Sequence, residues 1–430
     1  MKTLHITNAW HASSGGISTF YRALFDTANR QGHAMRLVVP GVHTHTEDVG
    51  ECGRIYYIRA PLAPLNWNYR ILYPYRFLFP NTAIQRIINS EKPDLVEISE
   101  KYSLPCLAGL LRKGRLPGVR LRPVMVGSSH ERMDENMAAY VSRSRAAQRF
   151  CDWYMKWMYF PMFDHHITMS EHTAEELIRA SRGHMVRRGI WVNPMGVDCK
   201  TFTPALRSET GRAELLQRVS GEASTTILVY AGRLSPEKNV TLLIDLMERL
   251  KGGDYRLVIA GSGIQQEMLV HECAARSLNN VFFAGYIQDR AELANLFANA
   301  DIFVHPNPRE PFGIAPLEAM AAGLVVVAPN SGGVTTYASA SNAWLVEATV
   351  DAFVEAVREI REHPAAREEK ARRGIETART FDWPVITRRF LELYKELTWI
   401  TRGERSAPSI APRTYSTPGD LLGREIAVTR

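Results

Sequence analysis

Two glutamates with seven residues between them, Glu310 and Glu318, bracket Pro311-Phe312-Gly313-Ile314-Ala315-Pro316-Leu317 and suit hydroxyl recognition. Ionised carboxylates accept hydrogen bonds from vicinal hydroxyls, so one could read a sugar ring and the other a ribose. Glu310 is expected on the loop after the apolar run DIFVHPN, and Glu318 inside the next helix beside Pro316, Leu317 and Met320. Gly313 and Ile314 would open that helix and aim backbone N–H groups and its positive end at an anion. Upstream, Arg233 and Lys238 in GRLSPEK follow the strand-like TTILVYA. Together they could hold a diphosphate, the guanidinium as a planar fork and the ammonium as a point charge, and offset charge growing on a departing nucleotide. Read alone, the same two residues are equally well a pair of solvated surface charges. Gly261-Ser262-Gly263 could let backbone amides approach a phosphate, although a short G-x-G is more often only a tight turn.

The first half offers two further candidates. Gly15-Gly16, bounded by Ser13, Ser14 and Ile17, could bring amides against an anion or could be a simple turn. His130, in Ser128-Ser129-His130-Glu131-Arg132 after the strand RPVMVG, could hydrogen-bond a sugar hydroxyl or steer an acceptor. Arg132 then either adds a cation to the site or pairs with Glu131.

These residues need rigid elements to hold them. Short β-branched runs alternate with amphipathic helical patterns through LHITNA, MRLVVPG, DLVEIS, RPVMVGSS and DHHITMS, which predicts a parallel sheet covered by helices. A helix is predicted from about Ser18 to Gln31, with Ser18 as N-cap, Phe20, Leu24 and Ala28 facing inward and Gly32 as its stop. From about residue 225 the rhythm restarts in TTILVYAGR, YRLVIAGSG, NVFFAGYI, DIFVHPN and LVVVAP. Between the halves, NPMGVDCKTFTP has the Pro and Gly punctuation of a connection. The fold class is therefore α/β, with domains at 1–195 and 196–382, a helix over 383–402 with Val385, Phe390, Leu393 and Leu397 inward, and a tail over 403–430 expected to be mobile.

Bulk properties agree with two globular domains. At 430 residues, 45% hydrophobic and 23% charged, the chain has too much apolar material for disorder and too much length for one core. Five cysteines (Cys52, Cys106, Cys151, Cys199 and Cys273) stand singly, which suggests neither a disulfide framework nor zinc and fits a cytoplasmic protein. No signal-peptide core or membrane-spanning run is expected from the sequence. The net charge of +7 suits an anionic ligand or membrane. Nucleic acid is not expected as a partner, because no helix-turn-helix, RNA-recognition or zinc pattern accompanies that charge. Residues 52–90 lack Asp and Glu but mix Arg54, Arg59, Arg70, Arg76 and Arg86 with Tyr56, Tyr57, Trp67, Tyr69, Tyr73, Tyr75, Phe77 and Phe79. That mix suits either an anionic membrane interface or packing on the first domain. A second cluster, Trp153, Tyr154, Trp157, Tyr159 and Phe160 with Arg143, Arg145, Arg149 and Lys156, reads from its helical spacing as core plus solvated face.

Taken together, GRLSPEKN and EPFGIAPLEAMAAG resemble the paired signature of the retaining glycosyltransferases of family 4, and Gly15-Gly16, NPMGVD, GSG, AGYI and the terminal F-x-W helix fall in the expected order. The resemblance implies a GT-B fold, two Rossmann-like domains facing a central cleft with a C-terminal helix returning to the first. It implies that Arg233 and Lys238 bind the donor diphosphate, Glu310 the donor sugar and Glu318 the ribose. Amides of Phe312, Gly313 and Ile314 would assist, Tyr286-Ile287 would touch the nucleobase, and Gly15, Gly16 and Gly263 would approach the donor. His130 would serve the acceptor. No resident cofactor or metal is expected, since no D-x-D follows a first-domain strand and the two cations would do the work of a metal. SHERMD, SGGISTF, EISEKYSL and AGYIQDR are further similar to segments of phosphatidylinositol-mannoside mannosyltransferases, which implies GDP-mannose as donor, a glycolipid or saccharide acceptor and an enzyme at the inner face of a membrane. The alternatives are a UDP-sugar-dependent transferase and, below it, a nucleotide-sugar isomerase or hydrolase.

Overall fold

The computed structural model describes residues 1–10, 15–63, 66–181, 189–403 and 424–425. Ser13, Ser14, the Trp67 side chain and the tail past 403, apart from the backbone of 424–425, lie outside the described residues. The chain forms two compact units, one of residues 1–194, 384–403 and 424–425, the other of residues 195–383.

In the first unit the strands are β1 (Lys2–Ile6), β2 (Ala34–Gly41), β3 (His45–Val49), β4 (Gly53–Arg59), β5 (Leu62–Ala63), β6 (Asn66–Arg70), β7 (Leu95–Ile98), β8 (Val124–Ser129), β9 (His165–Thr168) and β10 (Ile190–Val192). The main sheet runs β10-β9-β8-β7-β1-β2-β4-β3. Its pairings are parallel except where β3 meets β4 and where Arg424–Glu425 adds to the β10 edge. Helices cover both faces of a doubly wound sheet, so its central strands are continuous apolar runs, and Leu95–Ile98 is buried at every position.

The first helix spans Gly15–Arg30, not the predicted Ser18–Gln31, and Ser18 is not its cap. The two glycines therefore occupy the first turn and do not form a loop ahead of it. A first turn leaves its N–H groups without intrahelical partners, so residues poor at propagating a helix are tolerated there. Phe20, Leu24 and Ala28 are fully buried, and Gly32, at φ +63°, stops the chain in the left-handed region.

Much of the 52–90 segment serves this unit. Arg54 pairs with Asp48 at 2.6 Å, Tyr56 donates to Glu91 at 2.5 Å and Phe77 is buried, leaving Tyr75, Leu78 and Phe79 exposed around one short helix. The second aromatic cluster departs from expectation. Tyr159 and Phe160 are core, but Trp153 and Trp157 stand in solvent.

The helix Trp383–Arg402 joins the first unit from Pro384 onward. It presents Ile386, Phe390, Tyr394 and Leu397, while Val385 is only half-buried. The Phe390 ring meets Phe20 edge-on at 4.8 Å, and the Thr387 and Thr27 hydroxyls lie 2.7 Å apart. Tyr394 donates to Glu97, a carboxylate buried on β7 that also receives Tyr21 at 3.3 Å.

The second unit contains β11 (Thr226–Ala231), β12 (Tyr255–Ala260), β13 (Val281–Gly285), β14 (Ile302–Val304), β15 (Val325–Pro329) and β16 (Trp344–Val346). All pair in parallel, in the order β13-β12-β11-β14-β15-β16. The connection NPMGVD enters this unit at Met195, and Val197 donates to the Phe381 carbonyl at 2.9 Å and accepts from the Trp383 amide at 3.0 Å.

The Phe20–Phe390 contact yields a test of the C-terminal helix as part of the first unit. Phe390→Ala should lower its stability by about 3–5 kcal/mol, the usual cost of truncating a buried Phe. Urea unfolding followed at a probe in each unit should show the first unit weakened and the second unchanged; equal midpoints for variant and wild type would rule the packing role out.

Candidate functional site

In the second unit, winding reverses between β11 and β14: the chain builds outward from β11 through β12 and β13, then returns to β14 on the other side. Loops leaving the carboxyl ends of two strands at such a switch point diverge and leave a crevice where ligands bind. Lys238 lies on the loop after β11 and Glu310 on the loop after β14, so both candidates flank the switch point.

The two residues make an ion pair. Lys238 Nζ lies 2.8 Å and 3.0 Å from the Glu310 oxygens, and Asn307 Nδ2 donates to Oε2 at 3.0 Å. His305 Nε2 stands 3.7 Å from that same oxygen, in a buried ring whose Nε2 has no hydrogen-bond partner. Burial alone would raise the Glu310 carboxyl, but Lys238, His305 and Asn307 outweigh it and hold it down to about 2. Burial pushes the His305 imidazole down to about 4, Lys238 adding to the effect and Glu310 opposing it. At neutral pH the Glu310 carboxylate beside Lys238 is thus anionic and the His305 imidazole neutral.

Glycines set the approach of the loops. A Cβ on Gly261 would fall 1.9 Å from the Gly232 carbonyl oxygen, and one on Gly263 would fall 2.3 Å from that of Leu234. Leu234 N donates to Ser262 O at 3.0 Å, so the loops after β11 and β12 are bonded face to face. Gly263 is therefore needed first for this close approach. The helix after the G-S-G turn begins only at Gln266, so the turn is not itself a helix N-terminus. The Gly332-Gly333 turn after β15 presses in the same way on the Glu310 loop. Gly333 N donates to Glu310 O at 2.6 Å, and a Cβ there would lie 2.0 Å from Pro311 O.

The other candidates separate. Arg233 has a side chain 74% exposed and an ion-pair partner in Glu237 at 3.8 Å, so it does not share Lys238's carboxylate. Its carbonyl is held by the Tyr230 hydroxyl at 3.0 Å. Glu318 is buried in the helix Ile314–Ala321 and accepts from Arg290 at 2.5 Å. Arg290 also lies over the Phe202 ring, 4.7 Å from its centroid. Gly313 caps that helix at φ +85° and gives its carbonyl to the buried Tyr337 hydroxyl, while the Phe312 ring packs on Tyr337 at 5.3 Å. Ile314 begins the helix, and Tyr286 and Ile287 follow β13 with the Tyr286 ring exposed.

Gly15, Gly16 and His130 belong to the first unit. His130 Nε2 lies 3.2 Å from Ser128 Oγ, and burial pushes the ring down to about 4, so it is a neutral hydrogen-bonding group. Arg132 does not pair with Glu131. It is buried against Asp134 at 2.9 Å and Glu175 at 2.7 Å and also contacts His172, an arrangement that uses its donors structurally.

Sequence reasoning passed over His305, Asn307, Arg290, Tyr337 and the Gly332-Gly333 turn. Only the polar His-Pro-Asn ending of DIFVHPN and the Gly-Gly pair carried any signal.

Residues 14–201 match the family model described as Glycosyltransferase Family 4, and residues 214–381 match that described as Glycosyl transferases group 1. The chain is 30% identical over 385 residues to a GDP-mannose-dependent alpha-(1-6)-phosphatidylinositol dimannoside mannosyltransferase of Mycobacterium tuberculosis, covering 89% of this chain and 93% of the relative. A GDP-mannose-dependent alpha-mannosyltransferase of Corynebacterium glutamicum is 24% identical over 342 residues, 77% of this chain and 73% of that one. Among solved structures, a sucrose-phosphate synthase of Thermosynechococcus elongatus shares the fold with a TM-score of 0.72 at 21% identity, over 92% of this chain and 99% of that one.

Two outcomes follow from this geometry. Gly333→Ala must displace the loop bearing Glu310, and turnover should fall at least about tenfold for a Tm loss corresponding to about 1–3 kcal/mol of overpacking; wild-type turnover would show that the turn does not position the glutamate. The depressed imidazoles of His305 and His130 mean that the unfolded chain binds more protons below its histidine pKa. Stability should fall as pH drops from about 6.5 to about 4, and a His305→Asn variant should show a shallower decline in Tm over that window.

Proposed function

This chain belongs to glycosyltransferase family 4, and we propose that it transfers mannose from GDP-mannose, with retention of configuration, to a hydroxyl of a mannosylated lipid. The single observation carrying the catalytic reading is the Lys238–Glu310 pair at the switch point, braced by Asn307 and His305. A carboxylate accepts about four hydrogen bonds, so after two from Lys238 and one from Asn307 Glu310 keeps capacity for one sugar hydroxyl. Lys238 is a compact cation with three donors. Shared between Glu310 and a donor phosphate, it would stabilise charge on the leaving diphosphate as the glycosidic bond loosens. Arg233 projects into solvent from the same loop and is available to clamp a phosphate as a bidentate fork.

Glu318 is the carboxylate for the ribose, oriented from below by Arg290. The helix start at Gly313-Ile314 supplies amides to an anion, and the backbone of Tyr286-Ile287 meets the base. In the first unit, neutral His130 can donate a hydrogen bond to an acceptor hydroxyl or accept one from it without adding charge, and Gly15-Gly16 present first-turn amides suited to an anion. The donor and acceptor assignments draw on what the mycobacterial and corynebacterial relatives are named for, together with the SHERMD segment in this chain. No helix among the described residues is long and apolar enough to cross a membrane, so work on a lipid acceptor at the inner membrane face calls for peripheral docking.

Thermal shift and turnover against GDP-mannose and a panel of UDP and ADP sugars test the donor. Stabilisation and hydrolysis confined to GDP-mannose are expected, whereas a response only to a UDP sugar would discard mannose. Lys238→Gln keeps a donor toward Glu310 but removes the charge; turnover should fall by about 10²–10³, the usual cost of losing one transition-state donor. Near-normal turnover in the folded variant would remove Lys238 from the chemistry.

A further inference from the structure

The helix Arg145–Tyr154 and the turn of π-helix Met155–Tyr159 that continues it have two unlike faces. Cys151, Met155 and Tyr159 enter the core of the first unit. On the opposite side, Phe150, Trp153 and Trp157 recur at helical spacing and are 49%, 51% and 53% exposed. Phe150 and Trp153 stack at 6.1 Å, so the stripe is continuous. Val141, 74% exposed, and Tyr140 extend it at the end of the preceding helix Met133–Tyr140. Bases flank the stripe: Arg143, Arg145 and Arg149 are exposed and Lys156 is half-buried. From Tyr140 to Phe160 the only acid is Asp152, which faces Arg179 at 3.7 Å.

We propose that this face is a membrane-docking surface, seated on the anionic headgroups of a bilayer with Phe150, Trp153 and Trp157 at the hydrocarbon boundary. Aromatic rings flanked by cations match an interface that is apolar below and anionic above. Charge decides the occupant. A second copy packed by two-fold symmetry on the same face would set arginines against arginines, whereas a lipid surface neutralises them. Trp153 and Phe150 are held out by the burial of Cys151 and Met155 on the other side of the helix, so no rearrangement is needed to present them. The inference deepens the lipid-acceptor reading, and vesicle binding, its deciding readout, is measured without sugar donor, so either can fail without the other.

The experiment is co-sedimentation of the full chain with phosphatidylcholine vesicles containing one-third phosphatidylglycerol, and with pure phosphatidylcholine vesicles. The wild type should bind the anionic vesicles at least about tenfold more tightly, with binding weakened by salt. Phe150→Ser/Trp153→Ser and Arg145→Glu/Arg149→Glu should each lose at least about tenfold while keeping the wild-type Tm and the wild-type rate of GDP-mannose hydrolysis in water. Tyr75→Ser/Phe79→Ser, altering the other exposed aromatic patch, should bind as the wild type does. The proposal falls if wild type does not sediment with anionic vesicles, if the stripe variants bind undiminished, or if light scattering shows a wild-type dimer that Phe150→Ser/Trp153→Ser converts to monomer without changing lipid binding.

Discussion

The arrangement of the second unit turns on one ion pair between a half-buried lysine and a buried glutamate. Lys238 and Glu310 lie on loops that diverge at the switch point of the parallel sheet, and removing either partner would leave the other charged and poorly solvated. Breaking such a pair typically costs about 3–5 kcal/mol, much more than an exposed pair is worth. The surrounding features serve to keep it whole. Asn307 takes part of the carboxylate, His305 stays neutral beside it, and three glycine contacts let the neighbouring loops close to distances that any side chain would forbid. Under the proposed donor role, a phosphate at Lys238 would meet a side chain already oriented by Glu310, leaving little ordering to be done on binding.

The first unit solves a similar problem with different residues. Glu97, fully buried on β7, is ringed by His5, Tyr21 and Tyr394; burial pushes its carboxyl up, but His5 and Tyr394 outweigh that and keep it below the usual range. Nearby, Lys101 is buried against Glu176 at 2.6 Å, and Arg132 and Arg179 share Asp134. Such networks are costly to assemble and tolerate little repacking. They give the carboxyl-end loops of this sheet a rigid floor, on which His130 keeps a single neutral character. EISEKYSL and SHERMD, which carry the sequence resemblance to mannosyltransferases, supply Glu97, Lys101, Arg132 and Asp134 to that floor. Part of what reads in those segments as a recognition motif is therefore structural.

Legibility differed by the kind of signal. The alternation of apolar runs with helical periodicity is local, and it revealed the α/β class, both parallel sheets and the positions of Glu310 and Glu318 on a loop and a helix. Helix starts were less legible. Glycine at Gly15 and Gly16 argues against helix locally, and the packing of Phe20 and Leu24 behind them overrides that preference. The aromatic run at 150–160 could be sorted by periodicity into two faces, but not into which face meets the core. That depended on Cys151 and Met155 finding partners, which left two tryptophans in solvent. Arg132 was misjudged for a related reason: its nearest acid in sequence is Glu131, but a helix far along the chain brings Glu175 within 2.7 Å.

By itself the sequence determined the chemical inventory: two carboxylates at a set spacing, two cations after a strand, and glycines where backbones must approach. These are legible because residue type and short-range spacing decide hydrogen-bonding capacity and local conformation. Tertiary structure alone decided which charges face each other, namely Lys238 with Glu310, Glu318 with Arg290, and Arg233 left toward solvent. Those pairings join residues 28 and 72 positions apart in the chain. They arise only when a parallel sheet sets its strand ends side by side, because Coulomb attraction and desolvation depend on distance in space and on burial, which no local pattern encodes.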